Sequence, residues 1–248
     1  MSLAAVFLLV PSALASPAED LVRVLTGLHG LLSEQETPWL RASILEQALD
    51  GAQPHGLDRA GPQGLAWALG TYALPIASYW KAVVDKPHQA TWQNLLVSRV
   101  IDGDPRANDG TVFQAMSLPM VSNRWWVTRA HYNSQLYQRS GGQAWEDSFE
   151  DRHGESAYMS TLDPALTEIG VPLAWTHGSW LLWALDEAHT LVVYSVSSAP
   201  GGDIPAGLVA PFAASTLPHL LDLTATMARE HVPSCPGRYI RPDGVALR

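Results

Sequence analysis

Residues 199–231 read APGGDIPAGLVAPFAASTLPHLLDLTATMAREH. Leu208, Phe212, Thr216, Leu220, Leu223 and Met227 recur at helical spacing, which predicts a long amphipathic helix close to the C-terminus. Pro211 and Pro218 lie inside it, so the pattern calls for a kink or for irregular first turns. The Pro-Gly-Gly ahead of it ends a run of strand-like segments.

Working back along the chain, those segments are Thr190–Ser198, Gly178–Leu185, Ala144–Phe149, Trp125–Tyr132, Thr111–Leu118 and Leu95–Ile101. Asp102-Gly-Asp-Pro105 and Asn108-Asp-Gly110 supply turns between the early ones. Before them, a strand at Leu65–Tyr72 leads to Pro75, which opens a helix through Val84. Pro87 breaks that helix, and one more helical turn reaches Trp92. A sheet with one apolar face must cover it, and the final helix is the only predicted element long enough. The fold class is therefore α+β: a curved antiparallel sheet wrapped around a long C-terminal helix, with two short helices after the first strand.

The organisation follows. Residues 18–49 predict two helical segments, the second introduced by Thr37-Pro38, and residues 50–63 form a Gly/Pro connector. We place an N-terminal helical segment and connector at 16–62, a ligand-binding domain at 63–231, and a loosely held polar tail at 232–248. Residues 1–15 predict a signal peptide. Leu3 to Ala15 is apolar and uncharged, closes in Ala13-Leu14-Ala15, and is too short to span a bilayer, which takes about 20 residues. The expected location is therefore secreted or periplasmic.

The 248 residues carry a formal net charge of −9 without a basic tract, which argues against nucleic acid as a partner. Ten Trp supply large flat side chains for a core or a pocket. Cys235 is the only cysteine, so no intrachain disulfide can form.

Several motifs resemble one family in both order and spacing. Tyr72-Ala-Leu-Pro-Ile-Ala-Ser-Tyr-Trp-Lys-Ala-Val-Val-Asp-Lys-Pro87, followed by Trp92, is similar to the opening of helix-grip proteins of the START/Bet v 1-like superfamily. Pro119-Met-Val-Ser-Asn-Arg-Trp-Trp-Val127 resembles the START turn before Arg-Asp-Phe-Val, with Trp125 in place of its acidic residue. His177-Gly-Ser-Trp180 and Pro200-Gly-Gly-Asp-Ile-Pro205 resemble later START signatures. The resemblance implies a cavity between sheet and C-terminal helix that holds one lipid-sized molecule without catalysis. It places Trp126, Trp180, Leu182, Tyr194 and Val196 on inward strand faces, and Leu208, Phe212, Thr216 and Leu220 on the helix that lids the cavity. A register error of one residue would turn the strand set outward, and the helical stripe is equally compatible with ordinary core. Leu173 and Ala174 stand where several START domains carry an Arg, so the buried charged pair of those proteins is expected to be absent.

Polar candidates remain. Arg129, His131, Glu146 and Asp147 sit on two neighbouring strands and would either pair inside the cavity or bridge on the surface. No His-x-x-x-His, His-Glu-x-x-His, calcium loop, nucleophile elbow or phosphate-binding glycine motif occurs, so neither a metal nor a cofactor nor a catalytic residue is expected. The sequence thus supports a binder and carrier of a hydrophobic lipid-type ligand, such as a phospholipid or sterol. It would act as a monomer with transient membrane contact. The alternative is a cyclase-type or lipid-hydrolase-type enzyme on the same scaffold.

Overall fold

The computed structural model describes residues 15–59, 64–93, 95–118, 121–160, 162–202, 206–232 and 239–247, without the side chains of 109, 156 and 206–213. Helices α1 (Pro17–Leu28) and α2 (Ala42–Leu49) precede strand β1 (His55–Asp58). β2 (Leu65–Tyr72) leads into α3 (Ile76–Val84), a 3-10 turn at Lys86–His88, and α4 (Gln89–Trp92). β3 (Leu95–Asp104), β4 (Asp109–Met116), β5 (Arg124–Tyr132), α5 (Ser134–Arg139) and β6 (Ala144–Asp151) follow. After α6 (Ser156–Met159), α7 (Pro164–Thr167) and β7 (Val171–Pro172), the chain finishes with β8 (Trp175–Ala184), β9 (Thr190–Ala199) and α8 (Ala206–Glu230).

Among the described residues the strands form one curved sheet in the order β1-β2-β9-β8-β6-β5-β4-β3, with β7 beside β5. All pairs are antiparallel except β5 with β7. Two register shifts along β3, at Leu95/Val97 and Val100/Asp102, mark irregularities of the kind that bend an edge strand.

Alternation of side chains across the strands divides the interior. Ala66, Ala68 and Tyr72 of β2, Trp180 and Leu182 of β8, and Val192 of β9 face inward and pack with α3 and α8. Their neighbours Trp67, Leu69, Leu181, Trp183, Leu191 and Val193 face outward and are covered by α1 and α2. Phe113, Ala115, Trp125 and Val127 make a third cluster with Leu162 on the outer side of β4 and β5.

Local chemistry sets the ends of these elements. Ser16 accepts from the Glu19 backbone and Glu19 accepts from the Ser16 backbone, a capping box that starts α1 just ahead of buried Leu21 and Leu25. Gly178 has no room for a side chain, because a Cβ there would lie 2.2 Å from the Ser195 carbonyl and 2.8 Å from the Phe149 ring. Gly201 adopts φ +64°, and a Cβ there would meet the Pro172 carbonyl at 2.3 Å, which accounts for glycine in the entry to α8.

Three expectations need correction. The stretch read as a connector contains β1, which pairs with β2. Its Gly56 lies under the Trp67 ring, where a Cβ would come within 2.8 Å, so the glycine that suggested a loop in fact permits a strand. α2 begins at Ala42 with Arg41 as its cap, and Thr37 makes only a turn to Leu40. The tail is not loosely held over its described part: Tyr239 and Ile240 are buried, and the Trp80 indole donates to the Ile240 carbonyl at 2.8 Å. Those two apolar side chains supply the burial that a polar tail would lack.

Candidate ligand cavity

A cavity of about 580 Å³ lies between the inner face of the sheet and α8. β4 contributes Val112, Gln114 and Met116, and β5 contributes Trp126, Thr128 and Ala130. These residues alternate along their strands, and register puts Gln114 opposite Trp126 and Val112 opposite Thr128. From the far side come Thr176 and Trp180 of β8 and Tyr194, Val196 and Ser198 of β9, with Trp180 directly opposite Tyr194. The Trp180 and Tyr194 rings lie 4.4 Å apart, and Phe149 stacks on Tyr194 at 6.2 Å, so one wall is aromatic.

α8 uses two faces. Ala214, Leu221, Ala225 and Ala228 are buried against β2 and α3, while Thr216, Leu220 and Leu223 look onto the cavity and Leu217 touches both. The Tyr79 hydroxyl donates to the Leu221 carbonyl at 2.9 Å and Gln93 donates to Thr224 at 2.9 Å, so α8 is tied to α3 and to the end of α4.

The polar end is a connected network. Gln114 donates to Gln89 at 2.9 Å and to Ser98 at 3.0 Å, and accepts from the Trp126 indole at 3.1 Å. Ser98 in turn donates to the Lys86 carbonyl at 2.6 Å. The Lys86 ammonium, on the cavity wall, lies 3.1 Å from the Oδ2 of Asp147, whose side chain is completely buried. Burial pushes the Asp147 carboxyl above its ordinary range, and the Lys86 charge works against that shift. Tyr194 is raised as well, by burial and by the Asp147 charge.

Arg124 occupies another part of the wall. It is buried, and its guanidinium donates to the carbonyls of Pro200 at 2.5 Å, Ser122 at 2.6 Å, Asn123 at 3.2 Å and Gly201 at 3.3 Å. It therefore clasps the loop before α8 onto the start of β5, and among the described residues the cation is held by backbone carbonyls.

Of the residues expected at a site, Trp126, Trp180, Tyr194, Val196, Thr216 and Leu220 line this cavity together. Leu182 faces the same side but is fully buried in the core with Trp80 and Leu221. Leu208 and Phe212 fall on α8 where side chains lie outside the described residues. The polar candidates separate by strand parity. Asp147 points inward with Trp145 and Phe149, whereas Glu146 points outward and accepts from the Ser33 backbone at 3.1 Å, the Ser33 hydroxyl at 3.0 Å and Asn133 at 2.6 Å. His131 makes an exposed pair with Glu150 at 3.2 Å, and Arg129 donates to Tyr158 at 3.0 Å.

The family's charged pair is expected to be absent because Leu173 and Ala174 replace its Arg, and a different buried pair is present. Lys86 and Asp147 form it from positions other than 173 and 174, and Leu173 is simply a wall residue. Sequence reasoning missed Lys86 because a lysine beside a proline in a short turn looks solvated. Its buried partner, on a distant strand, becomes visible only in three dimensions.

No protein-family model and no curated protein matches the chain. Solved structures do match by shape. A STAR-related lipid transfer protein from Xanthomonas axonopodis superposes with a TM-score of 0.54 at 20% identity, covering 73% of this chain and 92% of that one. Human STARD10 gives 0.55 at 12% identity over 74% and 78%, and human StAR-related lipid transfer protein 5 gives 0.51 at 12% over 88% and 97%. Identities this low establish the architecture alone: the chain has the helix-grip fold of the START domains.

Proposed function

We propose that the protein binds one hydrophobic, lipid-type molecule in the cavity under α8 and carries it without transforming it. The observation that carries this reading is the cavity itself. It is about 580 Å³, walled by Trp, Tyr, Leu, Met and Val, with a polar network at Gln89, Gln114 and Lys86 and further polar groups at Arg124 and His219. That volume lies within the ~300–1,000 Å³ of small-molecule sites. Burial of a chain recovers about 0.8 kcal/mol per methylene, so an apolar wall supplies affinity and the polar end supplies orientation. The solved structures of similar shape include lipid transfer proteins, which supports the same ligand class.

An enzyme on this scaffold needs ionisable groups converging on the ligand. Two of the candidates, Glu146 and His131, lie on the outer face of the sheet, which favours the carrier reading. Val121, 43% exposed beside the cavity wall, supplies an apolar contact for a membrane surface during exchange. Export is supported by the start of α1. Cleavage after Ala15 would leave the Ser16–Glu19 capping box intact and convert the Ser16 nitrogen, 2.8 Å from the Glu19 carboxylate, into an ammonium group. Among the described residues no helix is long and apolar enough to cross a membrane.

The test is expression from Ser16 in a lipid-containing host, purification without detergent, and native and denaturing mass spectrometry. A stoichiometric co-purifying lipid is the expected result. A ligand-free protein that also takes nothing up from phospholipid or sterol vesicles overturns the reading.

A further inference from the structure

We infer that Asp85, His88 and His231 form a binding site for a divalent transition-metal ion of the zinc class. Asp85 follows the last residue of α3 and is fully buried, His88 closes the adjacent 3-10 turn, and His231 follows the last residue of α8. One ligand atom from each lies within 4.8 Å of the others. His88 Nδ1 is 3.0 Å from both carboxylate oxygens, and His231 Nε2 is 3.9 Å from Oδ2. The two imidazoles sit 4.7 Å apart at 55°, tilted and not stacked face to face.

Zinc bonds of about 2.0–2.2 Å place tetrahedral nitrogen and oxygen ligands roughly 3.3–3.5 Å apart. The observed 3.0 and 3.9 Å bracket that separation, so rotation of the two partly exposed imidazoles is enough to close the site. Their side chains are 40% and 24% exposed, which leaves an entry path and a coordination position for water. Two neutral imidazoles and one carboxylate suit zinc, whereas all-oxygen sets suit calcium or magnesium.

The surroundings are those of a ligand set. The Tyr239 hydroxyl donates to Asp85 Oδ2 at 3.0 Å, an outer hydrogen bond that fixes the carboxylate. The Trp92 ring lies 5.9 Å from His231 and gives the pocket an apolar wall. Lys86, the cation next in sequence, is turned away onto Asp147. The Arg106 charge does reach Asp85, and it is the electrostatic opponent that an ion must outweigh.

The site would join three separate elements, and its consequence is mechanical. A metal there links the last turn of α8 to the turn that carries Lys86 onto the cavity wall, so the ion would hold the C-terminal end of that helix closed.

The experiment is a calorimetric zinc titration of the full chain after dialysis against a chelator, with cobalt(II) absorption as the geometric readout. The expected result is one equivalent of zinc and a visible d–d band that zinc displaces. His88→Ala and His231→Ala should each weaken binding by at least ~10–100-fold, the loss typical even of outer partners. Tyr239→Phe should weaken it about tenfold, and His55→Ala on the exposed face of β1 should leave it unchanged. Thermal melts establish that each variant is folded. Failure of the native chain to bind zinc saturably overturns the inference, as does undiminished binding in His88→Ala/His231→Ala. The readout involves no lipid, so it is independent of the carrier proposal.

Discussion

Lys86 and Asp147 meet at 3.1 Å across the cavity wall, one from the turn after α3 and the other from the middle of β6. Tyr132 and Tyr194 both feel the Asp147 charge, so the carboxylate lies at the centre of the inner face, away from water. Removing one member leaves the other buried and alone. Asp147→Asn is expected to cost about 3–5 kcal/mol in urea unfolding, whereas Lys86→Met/Asp147→Leu should lie close to the native value. If the single variant costs less than ~1 kcal/mol, the pair is solvated in solution.

Filling the cavity tests its use. Val196 faces it from β9, opposite Gly178, and packs at the edge of the core cluster. Val196→Trp is expected to reduce uptake of a fluorescent lipid from vesicles by more than ~10-fold, while its melting temperature stays within a few degrees of native. Unchanged uptake would place the ligand elsewhere.

The pH dependence of stability has an unusual sign for the two buried carboxylates. Burial raises Glu146 above the 4.5 of an unfolded-chain glutamate, against hydrogen bonds from Asn133 and Ser33 that lower it. Asp147 is likewise raised above 3.8. Between those values and the raised folded ones, the native state holds more protons than the unfolded chain. Unfolding free energy contributed by these groups therefore increases as pH falls through that window. Native protein should gain in urea midpoint relative to Glu146→Gln as the pH is lowered toward 4.5. A relative loss would mean that the donors keep Glu146 ionised.

Truncation after Val232 tests the folded-back tail. It strips the Trp80 indole and the Asp85 carboxylate of the partners they have in Ile240 and Tyr239. With about 1–3 kcal/mol for each buried group left unsatisfied, plus the loss of two buried side chains, we expect a clearly lower melting temperature. A tail that contributes nothing would leave it unchanged.

The sequence by itself determined the order of elements. It placed Trp126, Trp180, Tyr194 and Val196 on inward faces only through the family resemblance, because β8 and β9 carry buried apolar residues on both faces and periodicity alone leaves their register open. It also determined that α8 lids the sheet, because no other segment carries an apolar stripe of that length. Only the tertiary structure decided which polar residues matter. Glu146 and Asp147 are adjacent and chemically alike, yet one holds the N-terminal segment at Ser33 and the other faces Lys86. Parity separates their faces, but which partners wait on each side depends on where residues far away in sequence return. β1, the folded tail, the Arg124 clasp and the Asp85–His88–His231 cluster share that origin. Local propensity is a property of neighbours along the chain. An ion pair, a ligand set or an edge strand is a property of neighbours in space, fixed once the sheet has closed around α8.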